Sequence, residues 1–283
     1  MRRGRAAAAW ALSPLHAAET VPRARERARG DARRRMVLAA GGVDALLGRR
    51  EVAALPDPRD SGVPPPVPGP TDPADEVTWR DPYLDGPLGE GGAARLLAAT
   101  GEASARIAFC RSVPEHPRAG EWTGQGLPAL PTAEEPGNWA RHTDANPAFV
   151  VRYAHAHAVS TGVWVRDSGL VSPRPTGELA DNAVAALDEP RAAAVIGALF
   201  DGPSVLSTAA GRRQPHILVR YLEGLAAAYH EWQESCAVME EAVPAADAAR
   251  REATSARLEL CAAVAGVLRT GLSLLGVSAP TRL

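Results

Sequence analysis

Pro215-His216-Ile217-Leu218-Val219-Arg220-Tyr221-Leu222-Glu223-Gly224-Leu225-Ala226-Ala227-Ala228-Tyr229-His230-Glu231-Trp232 decides the fold. Leu218, Tyr221, Leu222, Leu225, Tyr229 and Trp232 recur at helical spacing and share one stripe, which predicts an amphipathic helix. Proline opens it in the first turn, where its missing N–H removes no intrahelical bond. Tyr221 and Leu222 sit inside the stripe and read as core. Tyr229 and Trp232 lie toward the helix end, where an aromatic ring can be either packed or wet.

The pattern repeats outward from this helix. Downstream, Ala245 to Leu275 carries Leu258, Cys261, Ala265, Leu268, Leu272 and Leu275 on one face; Gly276 stops it, and a short tail ends at Leu283. Upstream, a helix over Asp181–Phe200 is expected, interrupted at Glu189-Pro190. Gly202-Pro203 is expected to turn the chain before a short helix from Val205 to Gly211. Ser172-Pro173-Arg174-Pro175 reads as a loop. Asp144-Ala145-Asn146-Pro147 starts another helix, with a capping side chain followed by a first-turn proline. Phe149, Val150, Tyr153, Ala154 and His157 then fall at helical spacing. A long loop spans Val113 to Gly137. Before it, Ala93 opens a helical stretch in which Leu96, Leu97, Ile107, Ala108 and Phe109 share a stripe and Gly101 separates two short helices. No strand is required, so the expected fold class is all-α.

The 283 residues are 46 % hydrophobic but only 5 % aromatic, so alanine and leucine, both good helix formers, must build the core. Prolines at 56, 58, 64, 65, 66, 68, 70 and 73 make an extended linker. The expected organisation is an Arg/Ala-rich segment over 1–54, either a degenerate remnant or disordered, a Pro/Gly-rich linker over 55–92 and a helical domain over 93–283. Within 23–47, one or two helices ending near Gly48 are expected. Residues 1–35 hold ten arginines against three acids, 36–140 eight against fifteen, and 141–283 thirteen against fifteen. The helical domain thus lacks the basic excess usual in RNA binders.

Cysteines at 110, 236 and 261 are too few and scattered for a disulfide framework or a zinc site. His155 and His157 are two apart on a helix and point about 200° away from each other, so no metal is expected. No run of 18 apolar residues exists, so no membrane partner is expected. The start, Met1 to Leu12, superficially suggests a signal peptide, but Pro14, His16 and Glu19 soon interrupt it. A cytoplasmic protein with reduced thiols is the expectation.

Together, Asn146-Pro147-Ala148-Phe149-Val150-Val151-Arg152-Tyr153-Ala154-His155-Ala156-His157, the Pro215–Trp232 helix and Leu275-Gly276-Val277-Ser278-Ala279-Pro280 resemble the anticodon-binding, or DALR, domain that closes arginyl-tRNA synthetases. The resemblance covers roughly residues 93–283. It implies a helical bundle whose anticodon surface is made by those two helices and the tail. Single-stranded loops are read by bases stacking on aromatic or guanidinium planes, each stack worth about 1–3 kcal/mol. The residues it points to are Tyr153, Arg152, Arg220, Tyr229, Trp232 and Leu283, with Tyr153 foremost. His157 stands where the family motif continues with arginine, so a fixed cation has become a titratable imidazole. Ala103-Ser104-Ala105-Arg106 is a degenerate version of the Asp-Ala-Leu-Arg signature and keeps the arginine.

There is no lysine anywhere; all 31 basic residues are arginine. The resemblance implies class I chemistry, whose mobile loop neutralises phosphate charge with lysines. Pro14-Leu15-His16-Ala17-Ala18-Glu19 only faintly echoes the nucleotide-binding motif, with alanine for glycine and Glu19 facing where a triphosphate would lie. The expectation is a stand-alone relative that binds tRNA, tRNA-Arg being one candidate, or a tRNA-like RNA without charging it. High-GC bacteria carry synthetase-related anticodon-binding proteins of this look. Two alternatives stay open: a fragment of arginine-tRNA ligase working with a synthetase or other partner chain, and a helical module that now contacts protein. No catalytic residue and no cofactor is expected; ATP would enter only in the ligase alternative.

Overall fold

The computed structural model describes residues 10–18, 20–41, 91–118, 120–167, 185–235 and 248–283. The proline segment 55–73, the expected helix end near Gly48, the Ser172–Pro175 loop, Asp181 and Cys236 lie outside them. The described elements are α1 (Val21–Ala39), α2 (Gly92–Arg111), β1 (Trp122–Gly124), β2 (Leu127–Pro128), a 3-10 turn (Gly137–Ala140), α3 (Pro147–Asp167), α4 (Pro190–Arg212), α5 (Pro215–Ser235) and α6 (Ala248–Leu275).

The α5 stripe works as its spacing predicts. Leu218, Leu222, Leu225, Tyr229 and Trp232 are buried between α4, α3 and α6, and Tyr221 is half-buried against the same core. Gly271 lets α6 approach: a Cβ there would run into the Leu222 side chain. α3 begins where the capping pattern places it, with the Asn146 side chain accepting from the Ala148 N–H at 3.0 Å. Gly101, at φ 74, kinks α2 between its two halves. Gly276, at φ 75, ends α6; Val277 N–H bonds the Leu272 carbonyl at 2.9 Å and Gly276 N–H that of Ser273 at 3.0 Å. This is the six-to-one, five-to-two closure of a left-handed helix end.

Three expectations need correction. The fold is all-α as expected, but the region read as loop holds one small antiparallel hairpin, β1–β2. Strands of three and two residues are too short to show a period-two pattern. Gly126 turns the chain at φ 67, and the Trp139 indole donates to the Pro128 carbonyl at 3.0 Å. Second, Gly202-Pro203 does not break the chain: α4 runs unbroken from Pro190, after the Glu189-Pro190 signal, to Arg212. Proline removes a helix hydrogen bond, but Pro203 faces solvent, and the Tyr221 hydroxyl braces the preceding turn by donating to the Ala198 carbonyl at 2.9 Å.

The third concerns the arginine-rich start. Residues 10–18 and 20–39 are neither a loose arm nor a separate unit. Leu15, Ala18, Val21, Ala24 and Ala28 form a buried cluster with Leu96, Leu97, Ala105 and Phe109 of α2. Most arginines of α1 bind backbone carbonyls. Arg25 donates to the Ser112 hydroxyl (2.6 Å), the Glu115 carbonyl (2.5 Å) and the Pro114 carbonyl. Arg29 donates to the Ser112 carbonyl (2.6 Å), the Phe109 carbonyl (3.2 Å) and the Glu115 carboxylate (3.2 Å). Arg29 therefore satisfies open carbonyls at the negative end of α2, and Arg25 holds the turn that follows it. Arg35 reaches the Ser273 carbonyl at the end of α6. Arg27, Arg34 and Arg106 hold the carbonyls of Pro14, Ala11 and Ser13 at 2.8, 2.8 and 2.9 Å.

Two described helices reach the length and mean hydropathy of a membrane span, α4 at 1.3 and Glu252–Leu275 of α6 at 1.6. Both pack against other helices of the bundle, and half of the α6 window is buried, the pattern of a core helix.

Candidate nucleic-acid interface

Four rings line up on the outer side of α3. His142 stacks on Phe149 (centroids 6.2 Å apart, planes 5° apart), Phe149 on Tyr153 (5.6 Å, 18°), and Tyr153 on His230 of α5 (5.5 Å, 22°). Phe149 and Tyr153 meet because residues four apart share a helix face. His142 is placed by the loop before α3, which Asn146 pins: its buried amide donates to Ser104 Oγ (3.2 Å) and to the carbonyls of Trp139 (3.0 Å) and Arg141 (2.8 Å). Tyr153 remains 42 % exposed and His142 is exposed. The column offers π surface and a phenol to solvent from a rigid base.

Of the residues singled out in the sequence, Tyr153 lies at the centre of this column. His157 sits beside it, half-buried, sharing a 2.8 Å hydrogen bond between its Nδ1 and the Tyr229 hydroxyl. Arg152 follows one step round α3. Its Nε is buried with no hydrogen-bond partner, and no described residue gives the guanidinium a carboxylate. Burial lowers its pKa below the usual arginine value. Leu283 is exposed at the end of a tail that is tied to α3 through His155, whose Nδ1 donates to the Pro280 carbonyl at 2.9 Å.

Tyr229 and Trp232 are corrected as stacking residues. Both are fully buried, because α5 stays packed between its neighbours to its last turn; the Trp232 indole donates to Glu189 at the start of α4 at 2.9 Å. Arg220 is corrected as well. It lies ten residues before His230 on α5, about 15 Å along the axis, where it binds Glu223 (3.1 Å) and the Thr123 carbonyl (3.2 Å) on the hairpin. Phe149, His142 and His230 belong to the column and were missed as site residues. Phe149 was legible, being four residues before Tyr153; His142 and His230 carry no local signal. Trp232→Ala is expected to cost about 3–5 kcal/mol of stability, read from the urea midpoint; an unchanged midpoint would contradict its burial.

Burial, with His230 second, lowers the pKa of His157, and burial lowers that of His230 against the opposing Val150 carbonyl bond. His155 and His216 are lowered by burial too. Since the folded values lie below the unfolded value of about 6.5, the unfolded chain binds more protons in between. The stability from keeping these imidazoles neutral is complete above about pH 6.5 and is lost as pH falls into the lower folded values. Urea titrations should therefore give a lower midpoint at pH 5.5 than at pH 7.5; equal midpoints would contradict this. Charge balance also differs from the reading along the chain. α1 carries seven arginines against two acids, whereas residues 141–283 carry thirteen against fifteen. Folding α1 onto the bundle supplies the basic excess that residues 141–283 lack. Among the described residues, no group of three or more histidine, cysteine or acidic side chains could hold a metal.

Residues 173–283 match the DALR anticodon binding domain family. That part of the chain carries a DALR anticodon-binding domain, and its helical fold agrees with the assignment. Over 143 residues, half of this chain, it is 41 % identical to the arginine–tRNA ligase of Frankia alni and 37 % identical to that of Clavibacter sepedonicus. Those stretches are 24 % of each ligase, so the chain spans about a quarter of the length of the curated relatives it matches. The arginyl-tRNA synthetase structure of Thermus thermophilus is 25 % identical over 68 % of this chain and 27 % of that one, with a TM-score of 0.42.

Proposed function

We propose that this polypeptide binds the anticodon loop of a tRNA, or a tRNA-like RNA, on the outer face of α3 without itself forming an aminoacyl adenylate. The observation that carries this is the His142–Phe149–Tyr153–His230 column beside Arg152, a cation with no described carboxylate. Splayed bases stack on aromatic rings, and an uncompensated guanidinium favours a phosphate. The identity with arginine–tRNA ligases makes tRNA-Arg the first candidate. The absence of lysine from all 283 residues supports the non-catalytic part, since the expected phosphate-neutralising loop works with that residue.

An electrophoretic shift at 50 and 150 mM salt tests the first part. tRNA-Arg should bind more tightly than an unrelated structured RNA of equal length; equal binding would overturn the anticodon reading. ATP–pyrophosphate exchange with arginine tests the second. Exchange above background by the purified polypeptide would favour the ligase alternative instead.

A further inference from the structure

A second concentration of positive charge lies away from α3, where α1 crosses the end of α2 and the turn between α4 and α5. Arg33 joins the three: its Nε donates to the Arg213 carbonyl at 3.0 Å and its Nη2 to the Glu115 carboxylate at 2.7 and 2.8 Å. Arg25 and Arg29 lie beneath, and Arg29 shares Glu115 at 3.2 Å. Arg212 and Arg213 project beside them, exposed, and no described residue gives either a carboxylate. Arg220 and the buried Arg111 continue the surface through the Thr123 carbonyl, which both bind, and His216 lies near Arg29 and Arg220. The carboxylates facing this group are Glu115, already shared by Arg29 and Arg33; Glu223, shared by Arg111 and Arg220; and Glu121, which accepts the Arg118 N–H. Arg25, Arg29 and Arg111 are buried beneath this surface, and Arg212 and Arg213 are its exposed members with no described carboxylate. Burial first, and the neighbouring Arg29 second, lower the Arg25 guanidinium to about 10.

A second observation marks the same spot. Arg213 is the one non-glycine residue with positive φ among the described residues, at 53°. It closes α4 with the hydrogen bonds of a left-handed helix end, Gln214 N–H to the Ala209 carbonyl at 2.9 Å and Arg213 N–H to that of Ala210 at 3.1 Å. Glycine is the unstrained residue there. An arginine in this conformation, beside a second unpaired arginine, keeps a charge at the cost of strain, a pairing that clusters at functional sites.

We propose that the Arg33–Arg212–Arg213–Arg220 surface is a second RNA contact, holding phosphodiester backbone outside the loop that sits on α3. It rests on the RNA-binding reading above. Arg220 lies about 15 Å along α5 from His230 of the column, and Arg33 binds the Arg213 carbonyl beyond it, so the two surfaces take different parts of one folded RNA. The contact is sequence-independent and salt-sensitive, because its affinity comes from displacing counterions.

The test compares full-length tRNA with an isolated anticodon stem-loop, using wild type, Arg212→Ala/Arg213→Gly and Tyr153→Ala. Arg213→Gly relieves strain, so the double variant should melt at the wild-type temperature or above it. It should bind full-length tRNA about tenfold more weakly at 0.1 M salt, with the slope of log K against log salt shallower by about 0.7–0.9 for each lost contact. Its affinity for the stem-loop should be unchanged. Unchanged tRNA affinity and slope would overturn the second contact, as would equal losses on both RNAs. If wild type ignores the stem-loop yet binds tRNA through these arginines, the α3 reading fails and this contact stands. If the double variant loses binding to an acidic peptide and not to RNA, the surface belongs to a protein partner and the proposal is overturned.

Discussion

Asp31→Ala is expected to destabilise the protein by about 3–5 kcal/mol, the usual result of removing one member of a buried ion pair. Asp31 and Arg106 each have side chains only 1 % exposed and meet at 3.2 Å. The carboxylate also accepts from Arg34 (2.9 Å), the Ser13 N–H (2.8 Å) and the Ser13 hydroxyl (2.9 Å). Burial alone would raise this carboxyl's pKa; the bonds from Ser13, Arg34 and Arg106 outweigh it and hold the value below normal. Without Asp31, Arg106 keeps only Glu102 (2.7 Å) and the Ser13 carbonyl (2.9 Å), and the 10–18 strap loses its main tie. Arg106 is the arginine that survives from the degenerate signature, so here its work is to fasten α1 and the strap to α2. Urea unfolding by circular dichroism measures the loss. A midpoint equal to wild type would mean that the pair is not closed. Asp31→Ala combined with Arg106→Met should recover part of the loss, because Asp31→Ala alone leaves the buried guanidinium with Glu102 as its one carboxylate partner.

Tyr153→Ala is expected to weaken anticodon-loop binding about 10- to 100-fold, corresponding to one to two lost base stacks. The residue is in the middle of the column, so its removal also leaves Phe149 and His230 without their shared neighbour. His142→Ala, at the free end of the column, should weaken binding about tenfold and leave the fold alone, since its ring is exposed. Tyr153→Phe keeps the stack and should retain most of the affinity. Fluorescence titration with a labelled stem-loop, alongside a melting curve for each variant, separates recognition from stability. Wild-type affinity for Tyr153→Ala at unchanged melting temperature would remove the column from recognition.

How much of this was legible depended on whether the signal was local. Leu218 to Trp232 announce α5 because spacing alone encodes one buried face, and Asn146-Pro147 announce α3 because capping is decided within four residues. Gly101 and Gly276 mark a kink and a stop because positive φ strongly favours glycine. What depended on distant partners was missed. Arg25, Arg29 and Arg35 read only as part of an Arg/Ala-rich segment; the fold reveals the carbonyls of Ser112, Pro114 and Ser273 that they bind. Pro203 reads as a breaker until Tyr221, 18 positions later, is seen bracing the turn before it. Tyr229 and Trp232 stay open between packed and wet near a helix end because nothing local shows that α4 and α6 reach that far. Within the site, Tyr153 and Phe149 follow from helix spacing. His142 joins through a loop pinned by Asn146, and His230 through the packing of α5 on α3.

The most direct measurement is the affinity of the wild-type protein for an anticodon stem-loop compared with the same stem closed by a minimal tight turn, at fixed salt. If unpaired bases are gripped by the α3 column, the open loop should bind at least about tenfold more tightly, since one base stack is worth that much. Equal affinity for the two hairpins would mean that any binding is to the stem's phosphates alone, and the aromatic face would have no part in it.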